Sequence, residues 1–331
     1  MKNIKKKFII ITTIFQPTES IKKFSEFSDW TLIVVGDKKT PKDWKMKNVI
    51  YLSPQKQKQL NFKIIKHLPW NHYSRKMVGY LYAIKEGAEV IYDTDDDNIP
   101  LAKWFEPNFK GKYKTIIGSG FINIYSYFTN KKVWPRGFPL KKLLTSEKTH
   151  IKYKNNSVKI WQFLADNDPD VDAIYRLTDN TPVVFNKGES LVLDKNTISP
   201  LNSQNTFFVK DSFPLLFLPA FVTFRFTDIL RGLVAQPILW SDNSRAGFGS
   251  STVIQKRNDH DYLKDFKSEI PMYLDTENVV HLAKKEIDLN LDYIDNLIKI
   301  YRKLNKFFIV SNKELILLNA WKSDINKLLK K

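Results

Sequence analysis

The short apolar run from Ala88 to Tyr92 passes directly into Asp93, Asp95, Asp96 and Asp97, and this junction constrains the fold more than any other part of the chain. Upstream, Met77, Leu81 and Ile84 recur at helical spacing and Gly87 is a helix stop, so the pattern predicts helix, turn and buried strand. Carboxylates crowded at a strand's end repel one another unless a cation or bound donors compensate. Magnesium and manganese suit such a place, because they take oxygen ligands and leave positions for water and substrate phosphates. The competing reading is a solvated acidic turn. The strand favours the metal, since ligands of α/β sheets bind at the carboxyl edge.

Other segments support an α/β order. Lys7 to Phe15 is a β-branched run expected as a central parallel strand, Trp30 to Val35 a second strand and Val49 to Leu52 a third. Asp37 follows the second strand, where an acidic residue accepts hydrogen bonds from a nucleoside. No glycine-rich phosphate loop is present, which disfavours dehydrogenases of the Rossmann type and Walker ATPases. Arg75 and Lys76 open the helix before the aspartates, where a cation is unfavourable for the helix and useful for a diphosphate. Phe121 to Phe128 is expected as a strand. Asp168, Asp170 and Asp172 alternate and would share one face if extended, which suits Asp170 and Asp172 to sugar hydroxyls, with Arg176 pairing a carboxylate or a phosphate. Asn202, Gln204 and Asn205 bring amides together in a loop fit for carbohydrate. Ser241 to Ser251, rich in glycine and serine, is expected as a flexible lid.

Several segments carry a resemblance. Arg75 to Tyr80 with Ile91 to Asn98 is similar to the STELLO family of glycosyltransferases, and the helix, strand and aspartates resemble the metal motif of GT-A enzymes in general. Trp161 to Thr178 and Leu218 to Trp240 resemble the same family, so that the likeness spans roughly residues 8 to 255. It implies a GT-A-like fold with a Rossmann-like central mixed sheet, a nucleotide-sugar donor, and Mn2+ or Mg2+ held by Asp95 and Asp97. The loop after the first strand would touch the nucleotide, making Thr13 and Gln16 candidates beside Asp37, Arg75 and Lys76; Thr18 alternatively caps a helix. Asp228 would be the general base at the start of a helix, unless it only caps it. Asp96 is assigned to the sugar or acceptor. Trp134 to Leu140 also resembles the reversibly glycosylated polypeptides, which are UDP-arabinopyranose mutases, and Arg136 falls on their autoglycosylation arginine; a phosphate clamp or a buried corner are the alternatives. In many GT-A enzymes a C-terminal histidine completes the metal shell, and His260 and His281 are the two available.

At 331 residues, with 43% hydrophobic and 14% aromatic content, the chain is long and apolar enough for a sizeable core. Residues 1–284 are expected as the transferase domain, with a nucleotide-binding half to about 110 and an acceptor half over 111–255. Residues 285–331 are expected as a helical appendage, because Leu289, Leu291, Ile294, Leu297, Ile298, Tyr301 and Leu304 recur at helical intervals, followed by Lys313 to Leu329. The absence of cysteine fits a reducing compartment. Neither a signal peptide nor a span of roughly 20 apolar residues is expected, which points to the cytoplasm, although plant members of the resembled family are membrane-anchored. The net charge of +18 fits attraction to phosphates, or peripheral contact of the basic C-terminal helices with an anionic membrane. Sequence-specific nucleic-acid binding is not expected, for want of a basic and aromatic motif. The resulting expectation is an inverting, metal-dependent glycosyltransferase acting from a UDP-sugar on a glycan, lipid or protein. A UDP-sugar mutase or self-glycosylating protein, a non-catalytic scaffold and a metal nuclease are the rivals.

Overall fold

The computed structural model describes residues 6–145, 148–257 and 260–329. Strand β1 (Lys7–Thr13) carries the continuous apolar run Phe8 to Ile11 and is buried on both faces there, as a central parallel strand must be. Thr18 caps helix α1 (Glu19–Phe24) by accepting a bond from the Ile21 amide. Strands β2 (Thr31–Gly36) and β3 (Val49–Leu52) follow, then α2 (Pro54–Gln59), which Ser53 caps. Helix α3 (Lys76–Lys85) feeds β4 (Val90–Thr94). The parallel order β3-β2-β1-β4 pairs Thr13 with Gly36 and Ile10 with Asp93, so the carboxyl ends of β1, β2 and β4 share one edge. The helix, turn and strand expected before the aspartates form as the spacing predicts.

Beyond that edge the chain becomes mixed. Strands β5 (Asn98–Pro100) and β6 (Lys110–Ile117) precede β7 (Gly120–Phe121), a two-residue strand followed by a 3-10 turn over Ile124–Tyr127. The strand expected over Phe121 to Phe128 is thus mostly absent; the Asn123 side chain caps the turn and draws the chain out of the extended form. Long β8 (His150–Asp166) pairs through its first half with β6 and through its second with β11 (Asn205–Val209). Between them lie α4 (Ala173–Thr178), β9 (Leu191–Leu193) and β10 (Thr197–Ile198).

Helix α5 (Thr227–Leu239) is buried along its whole length and leads to β12 (Arg245–Gln255). β12 runs parallel to β8 and antiparallel to β5 and β9, so the expected lid is a core strand instead. Its glycines have a packing reason: a Cβ at Gly247 or Gly249 would lie 2.3 Å from the ring of Trp161 or Phe163. Among the described residues the order is β3-β2-β1-β4-β11-β8-β6-β9-β12-β5 in a ten-stranded mixed sheet.

Both faces of the sheet are covered. On one, Phe24, Trp30, Tyr92, Trp104 and Phe207 stack into an aromatic cluster. On the other lie α3 and α5, with α6 (Tyr262–Glu286), α7 (Tyr293–Lys306) and α8 (Asn312–Leu329). The last helices are tied in by polar bonds as well as by packing. Asp324 accepts from the amides of Lys63 and Ile64, Glu314 from those of Ala220 and Phe221, and Trp321 Nε1 donates to the Pro214 carbonyl. Among the described residues, no helix is long and apolar enough to cross a membrane.

Candidate functional site

A cavity of about 440 Å³ opens at the carboxyl edge of β1, β2 and β4. It collects, from the residues singled out by sequence, Thr13, Asp37, Arg75, Asp95, Asp96, Asp97, Arg136, Asp170, Gln204 and Asp228. Residues separated by more than two hundred positions thus line one cleft. The first wall is built around Asp37. Asp37 accepts from the Lys38 amide at 2.6 Å and from the His72 amide at 3.2 Å, two fixed bonds that aim the carboxylate. Burial lowers His72 to about 4, against the pull of Asp37, so its ring is neutral at physiological pH.

The acidic triplet forms the floor. Asp96 accepts from Thr13 Oγ1 at 2.5 Å, and its carbonyl takes the Thr18 hydroxyl at 2.6 Å, so Thr18 both caps α1 and secures the loop. Asp97 accepts from Gln255 Nε2 at 3.0 Å, while its Oδ1 is buried without a hydrogen-bond partner. Burial lifts all three acids: Asp95 to about 7 despite Lys76, Asp96 to about 6 despite Thr13, and Asp97 to about 6 despite Gln255, with neighbouring aspartates adding to each. The cations nearby do not offset the burial of the three, and the orphaned Asp97 oxygen just past the strand end fits an oxygen-seeking divalent cation. Among the described residues no three acidic, histidine or cysteine side chains converge as a ready-made shell. Two carboxylates with water and phosphate oxygens are the donor set Mg2+ or Mn2+ accepts. His260 lies in the cleft beside Asp265, and His281 sits on the exposed side of α6, outside the cleft lining.

The opposite wall is an arginine clamp. Arg136 reaches Asp170 through Nε and Nη2 at 2.7 and 2.8 Å, and Asp228 through Nη2 at 3.0 Å, while Nη1 donates to the Arg225 carbonyl. Asp228 stands in the first turn of α5 and also accepts from the Ser203 amide at 3.2 Å and the Tyr73 hydroxyl at 3.2 Å. Burial works against its charge, but Arg136 overcomes it and holds the acid at about 2.

Several candidates are engaged elsewhere. Lys76 Nζ lies 2.9 Å from Asp93 and 2.8 Å from both Asp95 and the Thr94 carbonyl, and Arg231 meets Asp93 at 2.9 Å. Lys76 therefore neutralises the strand end from behind. Arg75 lines the cleft, but its guanidinium lies 3.5 Å from the centre of the Trp70 ring and its Nε donates to Gln57 at 2.8 Å. Gln16 is exposed and bonded to Asp43. The segment of Asp168, Asp170 and Asp172 is a loop rather than extended, so its carboxylates do not share a face: Asp172 caps α4 and accepts from Trp134 Nε1, away from the cleft. Arg176 pairs with Asp168 and the Pro169 carbonyl. Asn202 donates to Asp170, and Asn205 is buried in β11 against Tyr92 and the Leu164 carbonyl.

Sequence reasoning missed Gln255, Arg257, Arg225, Ser203 and the aromatic rim of Tyr73 and Phe224, all of which line the cleft. No local pattern marks them. Only the pairing of Gln255 with Asn98 across β12 and β5 brings that end of the chain to the triplet.

The family model described as STELLO glycosyltransferases matches residues 225–330, the segment from the start of α5 through α8. Two Arabidopsis thaliana proteins, named Probable glycosyltransferase STELLO1 and Probable glycosyltransferase STELLO2, are each 32% identical over 256 residues, covering 71% of this chain. The match covers 33% of the first relative and 34% of the second, so the chain spans about a third of the length of either. The large mixed sheet, with the C-terminal helices packed on one face, is GT-A-like. By sequence, over most of its length, the chain is similar to the STELLO glycosyltransferases.

Proposed function

We propose that the protein is a metal-dependent glycosyltransferase that moves a sugar from a nucleoside diphosphate, with UDP the expected carrier, to a hydroxyl of a glycan, lipid or protein. The observation that carries this reading is the shared cleft, in which three carboxylates after β4, of which Lys76 meets only Asp95, face Asp37 on one side and Asp228 on the other. Asp37, held by two backbone amides, accepts from the nucleoside. Asp95 and Asp97 would hold the cation, with Asp97 Oδ1 free for it. When bound, Mn2+ or Mg2+ neutralises charge on the departing diphosphate.

Asp228 is ionised across the physiological range and accepts the proton of the acceptor hydroxyl as that oxygen attacks, with inversion at the anomeric carbon. Arg136 keeps Asp228 charged and weakens it as a base, so proton transfer requires the acceptor to compete with Arg136 for the carboxylate. The same clamp argues against self-glycosylation at Arg136. Its nitrogens are buried and spent on two carboxylates and a carbonyl, leaving no nucleophile.

A thermal-shift screen of UDP-, GDP- and ADP-sugars with and without Mn2+, followed by release of nucleoside diphosphate, tests the reading. Metal-dependent stabilisation by one donor is expected, with slow turnover that Asp228→Asn abolishes while donor binding remains. No shift with any donor overturns the reading. Binding without turnover in the presence of acceptor extracts would transfer support to a scaffold role.

A further inference from the structure

Among the described residues, two cleft-lining guanidiniums keep a buried nitrogen without a hydrogen-bond partner, Arg75 at Nη2 and Arg257 at Nε and Nη1, and Arg257 is the one whose chain segment is bonded to the acidic triplet. Its side chain is only 6% exposed, yet Nε and Nη1 make no hydrogen bond. The Nε lies 3.2 Å from Asp168 Oδ2 without hydrogen-bond geometry, and Asp168 is already paired with Arg176. The neighbouring cations are occupied: Arg136 by Asp170 and Asp228, Arg225 by Glu269 at 2.9 Å. Buried donors left without acceptors are costly, and a guanidinium with N–H groups to spare is a strong partner for a phosphate.

The chain around Arg257 is fixed to the acidic triplet. Gln255 closes β12, its Nε2 donates to Asp97, and the next backbone amide, of Lys256, donates to the Asp97 carbonyl at 3.0 Å. Arg257 follows immediately, so the segment that orients Asp97 also carries the free guanidinium. A diphosphate there would have the carboxylate-held cation on one side and the arginine fork on the other. Lys76 has no comparable freedom, and Arg75, although its Nη2 is without a partner, is held by its stack on Trp70 and by Nε given to Gln57.

We propose that Arg257 is the cleft's side-chain contact for the phosphates of a nucleoside diphosphate, placed by the same arm of chain that holds Asp97. The proposal rests on the nucleotide-sugar reading above. Burial and the like charge of Arg225 lower the affinity of Arg257 for its proton, a strain that an anion relieves.

The test is calorimetric titration of the wild-type chain, R257Q and R257K with UDP, inorganic pyrophosphate and uridine, each with Mn2+. R257Q is expected to weaken UDP and pyrophosphate about tenfold to a hundredfold and to leave uridine unchanged. R257K, which keeps the charge and loses the fork, should fall between. If R257Q does not fold, the comparison of R257K with wild type carries the test, and a lysine variant that binds pyrophosphate as wild type does overturns the assignment. Equal binding by R257Q does the same, as does a loss of uridine affinity equal to that for UDP, which would mark a structural role. A wild-type chain that binds neither UDP nor pyrophosphate overturns the nucleotide reading itself and this inference with it.

Discussion

Replacing Asp97 by asparagine separates the demands of folding from those of the cleft. Burial is the main cause of its raised pKa, from 3.8 to about 6, with the Gln255 bond opposing. A carboxyl group raised on folding contributes stability that is complete below the unfolded pKa, near 4, and lost as pH rises through about 6. A shift of about two units at ~1.4 kcal/mol each gives an upper figure of about 3 kcal/mol. Asp97 is partly exposed, so screening reduces this to roughly 1–2 kcal/mol. Asparagine removes the charge and keeps an oxygen for Gln255 Nε2. Without metal, D97N should therefore be more stable than wild type at pH 7.5 by about 1–2 kcal/mol, with a shallower loss between pH 4 and 7. Asp95 and Asp96 shift in the same direction and keep part of the slope. Adding Mn2+ at about a hundred times its dissociation constant should stabilise wild type by about 2.7 kcal/mol and D97N far less. Urea denaturation at pH 5 and 7.5, with and without Mn2+, measures all four quantities. A metal-free D97N that is less stable than wild type at pH 7.5, or that gains as much from Mn2+, refutes the reasoning.

Two further outcomes follow from buried charges. Arg136→Lys places a point charge where a planar fork spans Asp170 and Asp228, and should cost about 3 kcal/mol; with the clamp loosened, the Asp228 pKa rises, and the acid limb of the transfer rate should move to higher pH. Glu314 is raised from 4.5 to about 7 by burial, against the amides of Phe221 and Ala220. Its stabilising contribution is complete below pH 4.5 and lost as pH rises through about 7, a change of about 3 kcal/mol. Glu314→Gln should flatten that slope in denaturation curves taken at pH 4.5 and 8.

The parts of the site that were legible in sequence are those set by neighbours along the chain. A helix stop, an apolar strand and consecutive aspartates are local, and so is an aspartate after a strand; the structure brings the triplet and Asp37 into one cleft. Where a side chain's partner is remote, the sequence misleads. Arg75 and Lys76 look free, yet they meet Gln57, Trp70 and Asp93. Glycines at 247 and 249 look mobile, yet they seat the rings of Trp161 and Phe163. Alternation at 168, 170 and 172 implies a shared face only in a strand, and the chain there is a loop that Asp172 ends by capping α4.

The aspartates at the end of β4 show what the fold adds to the pattern. Asp93 and Asp97 are alike in sequence, four positions apart, and both lie at the same strand end. Asp93 is closed off, with Lys76 at 2.9 Å on one oxygen and Arg231 at 2.9 Å on the other, both reaching it from helices. Asp97 receives a single neutral amide and keeps a buried oxygen without a partner. Helices α3 and α5 thus neutralise one carboxylate to make the strand end foldable and leave the other in need of a cation. Arg257 is the counterpart on the cation side, a guanidinium short of acceptors where Arg136 and Arg225 have theirs. The candidate site is therefore defined by which charges the fold leaves incomplete, and an anion bridging Arg257 to a cation on Asp97 would complete both.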